Sequence, residues 1–211
     1  RADATASDYA NMIWAAIRLH AATGQSGYLD HARRWTGALD RHFWVADAGG
    51  YAMTADDATD AIVRLRPGHD DATPNANAIS ITNLVHLHLL TGELSYLERA
   101  RSIPDAFASD LQRSTLGYCG LLANALDVMS PLDVVILTPP GTTPEPLTLA
   151  LQHVSLPGAL VRARADGDAI PTTSPLAGKT SHGGVPTAYV CAGQSCSSPV
   201  TDPQQFRSLI F

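Results

Sequence analysis

The sequence predicts a mainly α fold: helical hairpins stacked as part of an α/α toroid, with a small C-terminal α/β appendage. Three observations predict it. The phrase Thr-Gly-x-x-x-Tyr-Leu-x-x-Ala occurs at residues 23–32 and again at 91–100, sixty-eight residues later. Each copy ends one apolar helical pattern and begins another, which is the layout of stacked hairpins. The first helix of each hairpin is the more uniformly apolar, the inner and outer alternation of a toroid. Beyond residue 130 the texture changes to short β-branched runs separated by Pro and Gly.

Taken in order, Ser7 is the expected N-cap of the first helix, which carries Met12, Ile13, Ala16, Ile17 and His20 and stops at Gly24. The second helix begins near Gly27, with Tyr28, Ala32, Trp35 and Leu39 on one face and Phe43-Trp44 close to its end. Gly49-Gly50 breaks the pattern, and Tyr51-Ala52-Met53 reads as a short strand or a turn. Residues 54–76 form a long polar connection, a length more common in functional loops than in simple links. The third helix covers residues 77–90 and is apolar around most of its circumference, as an enclosed helix is. The fourth starts at Ser95 and carries Tyr96, Leu97, Ala100, Ile103 and Phe107. Pro104 is expected to kink or break it. A fifth helical segment spans residues 117–129.

The run Asp133-Val134-Val135-Ile136-Leu137 then reads as a buried strand, 146–153 as a short helix and 159–163 as a second strand. Together they make a βαβ-like unit with parallel strands. Residues 188–191 suggest a last strand, and Asp202 a cap for a helix ending near Ile210. This gives two regions: hairpin repeats over 1–130, and the appendage over 131–211.

Composition bounds the function. Of 211 residues, 45% are hydrophobic and 16% charged, enough for a packed core. A net charge of −6 argues against a nucleic-acid face. No apolar run has the ~18 residues of a membrane span, and no signal peptide is visible. The chain starts at Arg1 with a helical pattern almost at once, which reads as a fragment or a processed chain. Three cysteines favour a reducing, cytoplasmic compartment.

The repeat also acts as a ruler. Asp8 and Tyr9 open the first inner helix, and Asn75 and Asn77 open the second. Equivalent helix starts share a rim whose unpaired N–H groups suit anionic or hydroxyl-bearing ligands. The polar loop is expected to fold over this rim, bringing Arg64 and Asp70 to the same mouth. Tyr9, Tyr51, Arg64, Asn75 and Asn77 are the candidate substrate-binding residues, for a hydroxyl-bearing ligand such as a small carbohydrate. Asp8 and Asp70 are the candidate acid–base pair, since glycoside hydrolysis needs two carboxylates about 5–9.5 Å apart. The competing reading is structural: Asp8 caps a helix, and Asp70 pairs with Arg64 to hold the loop.

His20, His86 and His88 read as hydrogen-bonded core or surface histidines. His86 and His88, two apart on a helix, point in different directions and make a poor joint metal site. Cys191 and Cys196 lack the spacing of a zinc site or a thioredoxin motif. Two buried thiols are the expected state, with a bridge as the alternative. No metal site is assigned, and no cofactor motif is present, neither GxGxxG nor a Walker pattern.

Further phrases carry a family likeness: Asp8-Tyr9-Ala10, Phe43-Trp44 with Gly49-Gly50-Tyr51, Arg64-Leu65-Arg66, and Asp70-x-Ala72-x-Pro74-x-x-Asn77. The tail adds Thr187-Ala188-Tyr189-Val190-Cys191-x-x-x-x-Cys196-x-x-Pro199-x-Thr201-Asp202-Pro203. On these residues the chain resembles the YyaL family of thioredoxin domain-containing proteins. The resemblance implies an N-terminal thioredoxin-like domain followed by a six-hairpin α/α toroid, similar to those of sugar epimerases and six-hairpin glycosidases. It implies that this chain is the C-terminal portion. Arg66 stands where the family has lysine, and Asp71 where it has glycine.

The resemblance supplies no settled reaction. Two functions remain open: an epimerase- or glycosidase-like enzyme using Asp8 and Asp70, or a non-catalytic binding or scaffold module presenting clients to the thioredoxin-like domain. Too few hairpins are present to close a six-hairpin ring. Met12, Ile13, Ile17 and the fifth helix are thus expected to expose apolar surface, to be covered by the missing N-terminal part or by self-association. Neither nucleic acid nor membrane is expected as a partner.

Overall fold

The computed structural model describes residues 3–59 and 61–210; Arg1, Ala2, Asp60 and Phe211 lie outside the described residues. The chain is mainly α, with one small mixed sheet, and forms two compact units. The first holds the helices up to Met129, except for two helix ends. The second holds those ends, 21–24 and 89–92, and everything from Ser130.

In the first unit, α1 is Ala6–Thr23, α2 Ser26–His42, α3 Ala76–Thr91 and α4 Leu94–Ala106. These are the two predicted hairpins. The repeat is visible down to single bonds. Gly24 and Gly92 follow the ends of α1 and α3 with φ of 70° and 75°, a left-handed turn that glycine takes without strain. His20 Nδ1 lies 3.0 Å from the Gln25 carbonyl, and His88 Nδ1 lies 3.0 Å from the Glu93 carbonyl. Carbonyls only accept, so Nδ1 carries the proton in both rings.

The enclosed character of α3 is borne out. Its polar Asn77, Ser80, Thr82, Asn83 and His86 are buried along with Ile81, Leu84, Val85 and Leu87. Asn83 Nδ2 donates to the Ala10 carbonyl of α1 at 2.8 Å. Thr82 Oγ1 lies 2.5 Å from both Asn124 Oδ1 and Asp127 Oδ2, both on α6 (Cys119–Met129).

Three sequence expectations are corrected in this unit. Thr5, not Ser7, caps α1, because Thr5-x-x-Asp8 forms a reciprocal capping box. Ser7 lies inside the helix and turns its hydroxyl to Met53 Sδ. Pro104 stays within α4, and the break comes at Phe107, whose N–H returns to the Pro104 carbonyl before a short helix α5, Ala108–Arg113. Ile13 and Ile17 are buried, because they share the inward arc of α1 with Ala10 and Ala16. Met12, Leu126 and Met129 are exposed at 51%, 64% and 81%.

The second unit is built on β1 (Leu132–Thr138), α7 (Glu145–Ala150), β2 (Leu160–Ala165), β3 (Thr187–Ala192), β4 (Ser195–Cys196) and α8 (Pro203–Ile210). The strand order is β2-β1-β3-β4. β1 and β2 run parallel, as expected of the βαβ unit, while β3 lies antiparallel on the other side of β1. One sheet face packs Val134, Ile136 and Ala188 with Leu147 and Phe206 from the helices. The other packs Val135, Leu137, Tyr189 and Cys191 with Leu176. Asp202 caps α8, accepting from the N–H groups of Gln204 and Gln205.

The expected pair of buried thiols is replaced by a Cys191–Cys196 disulfide. The two residues are register partners across β3 and β4, which brings their side chains together on one face. No helix among the described residues is long and apolar enough to cross a membrane.

Candidate functional site

The long connection of residues 54–76 is held by side chains flanking it. Asn75 caps α3: its Oδ1 accepts from the N–H of Asn77 and of Ala78. Its Nδ2 donates back to the carbonyls of Pro67 and His69. Asn77, fully buried, accepts from the Tyr51 N–H and donates to the Tyr51 and Pro67 carbonyls. The Tyr51 hydroxyl donates to Asp40 Oδ1 at 2.5 Å. Burial, and then the Asp40 charge, push the Tyr51 phenol well above its ordinary range.

Arg66 donates to the Gly49 and Ala106 carbonyls and stacks on Phe107, with 4.3 Å from guanidinium carbon to ring centre. Asp70 ties the far end of the loop to α6, both carboxylate oxygens accepting from the Gly120 N–H at 3.1 and 2.9 Å. Its own N–H donates to the Gly117 carbonyl.

A second group surrounds two clefts. The larger, about 630 Å³, is lined by Thr5, Tyr9, His42, Phe43, Thr54 and Asp57 among others. The Tyr9 ring packs on the buried Phe43, their ring centres 5.3 Å apart. The smaller, about 240 Å³, is lined by Asp8, Tyr9, Met12 and Trp35. Arg64 braces this region by donating to the Thr54 and His42 carbonyls. The Asp8 carboxylate accepts from the Thr5 N–H and hydroxyl at 2.7 and 2.8 Å, which holds its pKa below the ordinary carboxylate value.

The contacts thus sort the candidates into two sets. Asp8 and Tyr9 line the clefts, and Arg64 braces His42 and Thr54 of the larger one. Tyr51, Asp70, Asn75 and Asn77 fasten the loop. Asp70 bonds Gly120, and Arg64 bonds carbonyls. The sequence reading passed over His42, which sits on the cleft wall as the last residue of α2. His42 Nδ1 lies 3.0 Å from Asp56 Oδ1, a contact that lowers the Asp56 pKa. His42, Asp56 and Asp57 offer one ligand atom each within 4.8 Å of one another, a trio able to hold a divalent cation at the cleft edge. The available signal was a histidine at a helix end followed by Asp56-Asp57 in the polar loop; the spacing alone does not pair them.

No protein-family model matches the chain. It is similar over 96% of its length to spermatogenesis-associated protein 20 from rat, human and mouse, at 27%, 27% and 26% identity. The motif likeness thus agrees with the comparison at the level of a spermatogenesis-associated protein 20-like chain. The chain spans about a quarter of the length of these relatives: 26% of the rat protein and 27% of the human one.

Proposed function

We propose that this chain is a non-catalytic binding region of a protein like spermatogenesis-associated protein 20. Its helical hairpins form part of a six-hairpin toroid, and the cleft lined by Tyr9 and His42 receives a hydroxyl-rich small molecule of carbohydrate type. The cleft supports this reading by its composition. The partly exposed Tyr9 ring suits the apolar face of a sugar ring, while His42, Thr5, Thr54 and Asp57 offer hydrogen-bonding groups around it.

The observation that carries the non-catalytic half is the use already made of the two carboxylates. Asp8 completes a capping box and Asp70 holds the start of α6. A glycosidase or epimerase needs at least one carboxyl poised to exchange a proton near neutral pH. The Asp8 pKa is displaced downward, away from that range.

The test is a glycan and sugar-phosphate binding screen on the intact chain, with Asp8→Asn and Tyr9→Ala beside it. Binding that survives Asp8→Asn, is lost with Tyr9→Ala, and proceeds without turnover is the expected result. Turnover abolished by Asp8→Asn would establish the enzymatic reading instead.

A further inference from the structure

We propose that the Cys191–Cys196 pair is a thiol–disulfide exchange site, cycling between disulfide and dithiol in the folded protein with a dithiol as its reaction partner. The two cysteines are register partners at the β3–β4 hairpin. β4 has two residues and forms the edge of the sheet. The two residues differ in exposure: Cys191 is 2% exposed, whereas Cys196, packed against the same core cluster, is partly exposed beside the exposed Gln194 and Ser195.

The fold does not depend on this link. A cross-link closing so short a loop restrains the unfolded chain much less than a long-range one. The backbone beyond it is held independently. The Ser197 N–H donates to the Val190 carbonyl at 2.8 Å. Ala188 and Val200 exchange both backbone hydrogen bonds, at 2.7 and 3.1 Å. The Gly193 N–H donates to the Pro131 carbonyl at 3.1 Å. Phe206 then anchors α8 in the core. Opening the bond therefore frees two thiols without freeing the strand that carries them.

The chemistry follows from the access. A thiolate of the dithiol attacks Cys196 Sγ, the S–S bond breaks, and Cys191 Sγ leaves with the electron pair and takes a proton from water. The second thiolate of the reagent then attacks its own sulfur in the mixed disulfide and releases Cys196, which is protonated in turn. The dithiol is oxidised to a disulfide, and the cysteine pair gains two electrons and two protons.

Dithiothreitol is the probe, and thiols are counted by mass after alkylation under native conditions. The expected count rises from one, the exposed Cys119, to three. The rate should scale with reagent concentration and not respond to urea below the unfolding transition. Amide exchange across 134–137 should stay unchanged. In a Cys119→Ser background, Cys191→Ser should form a mixed disulfide with an oxidised thiol reagent at least about tenfold faster than Cys196→Ser, because Cys196 is the more exposed residue of the pair. A count that stays at one until urea unfolds the chain overturns the proposal. So does loss of amide protection on reduction, or equal reactivity of the two variants. If a variant fails to fold, the thiol count on the unmodified chain decides alone.

Discussion

Asn77 holds Tyr51 by both of its backbone groups, accepting from the N–H at 2.6 Å and donating to the carbonyl at 2.9 Å. A side-chain amide here does the work of a neighbouring strand, and it does so fully buried. Asn77→Ala should cost about 2–6 kcal/mol in urea denaturation, since it strands two buried backbone groups at about 1–3 kcal/mol each. Asn77→Asp keeps the acceptor, loses the donors and buries a charge, so it should be no better than alanine. A change below about 0.5 kcal/mol for either variant would mean that the loop is held by other contacts.

Gly68 lies against Phe107. A Cβ added there would sit 2.5 and 2.6 Å from two ring carbons of a side chain that is itself 1% exposed. The ring also carries Arg66 on its face and cannot swing aside cheaply. Gly68→Ala should destabilise by about 1–3 kcal/mol, the ordinary cost of overpacking a core. Amide exchange should quicken through the loop held by Asn75 and Asn77. An unchanged thermal midpoint would show that Phe107 has room to move.

These contacts show where sequence reading succeeds and where it stops. The sixty-eight-residue repeat is local and periodic, so it revealed the two hairpins, their glycine stops and the enclosed α3. The Asp202 cap and the parallel β1–β2 pair were legible for the same reason. Thr5-x-x-Asp8 was legible too, but Ser7, an equally good capping residue, drew the assignment; local preference does not choose between two nearby hydroxyls. The partners of Asp70, Tyr51 and His42 lie 50, 11 and 14 residues away, and nothing in residue type specifies them. The disulfide needed the β3–β4 register, which a two-residue strand does not announce.

Asp8 gives a pH prediction. Hydrogen bonds from the Thr5 N–H and hydroxyl lower its folded-state pKa below the unfolded value of 3.8. The folded chain therefore binds this proton less readily. The stabilisation is fully present above pH 3.8 and is lost as pH falls through the lower folded value. The carboxylate is exposed, so solvent screens it and the cap contributes only about 0.5 kcal/mol. Asp8→Asn should remove that increment near neutral pH and converge with the parent chain in strong acid. A constant difference from neutral pH down to strong acid would assign the effect to packing and not to charge.

Tyr51 gives the opposite sign. Its phenol is pushed well above 10.0 by burial and by Asp40, so the fold favours the neutral form. That contribution is present below the unfolded value and is lost as pH rises through the folded one. Spectrophotometric titration should show one tyrosine that ionises only as the chain unfolds in alkali, and Tyr51→Phe should abolish that step. If all the tyrosines ionise together while helicity persists, Tyr51 is more accessible than its 1% exposure indicates.

Asp133 and Arg162 form a buried pair between neighbouring strands, bonded through Nε at 3.1 Å and Nη2 at 2.6 Å. Burial raises the Asp133 pKa, and Arg162 opposes that rise. Arg162→Met removes the opposition and leaves the carboxyl alone in the core, which should cost about 3–5 kcal/mol near neutral pH. The sign with pH is then diagnostic. A carboxyl whose folded pKa is raised makes the folded state the better proton binder, so the variant should lose stability as pH rises from the unfolded value toward the folded one. It should regain stability on acidification while its exposed carboxylates are still ionised. Replacing both residues, Asp133→Val with Arg162→Met, removes the charge altogether and should recover most of the loss. The Arg162 Nη1 atom, buried without a hydrogen-bond partner among the described residues, sharpens this expectation, because its desolvation is uncompensated there. A double variant as unstable as Arg162→Met alone would show that the pair sets the β1–β2 register and does not merely fill it.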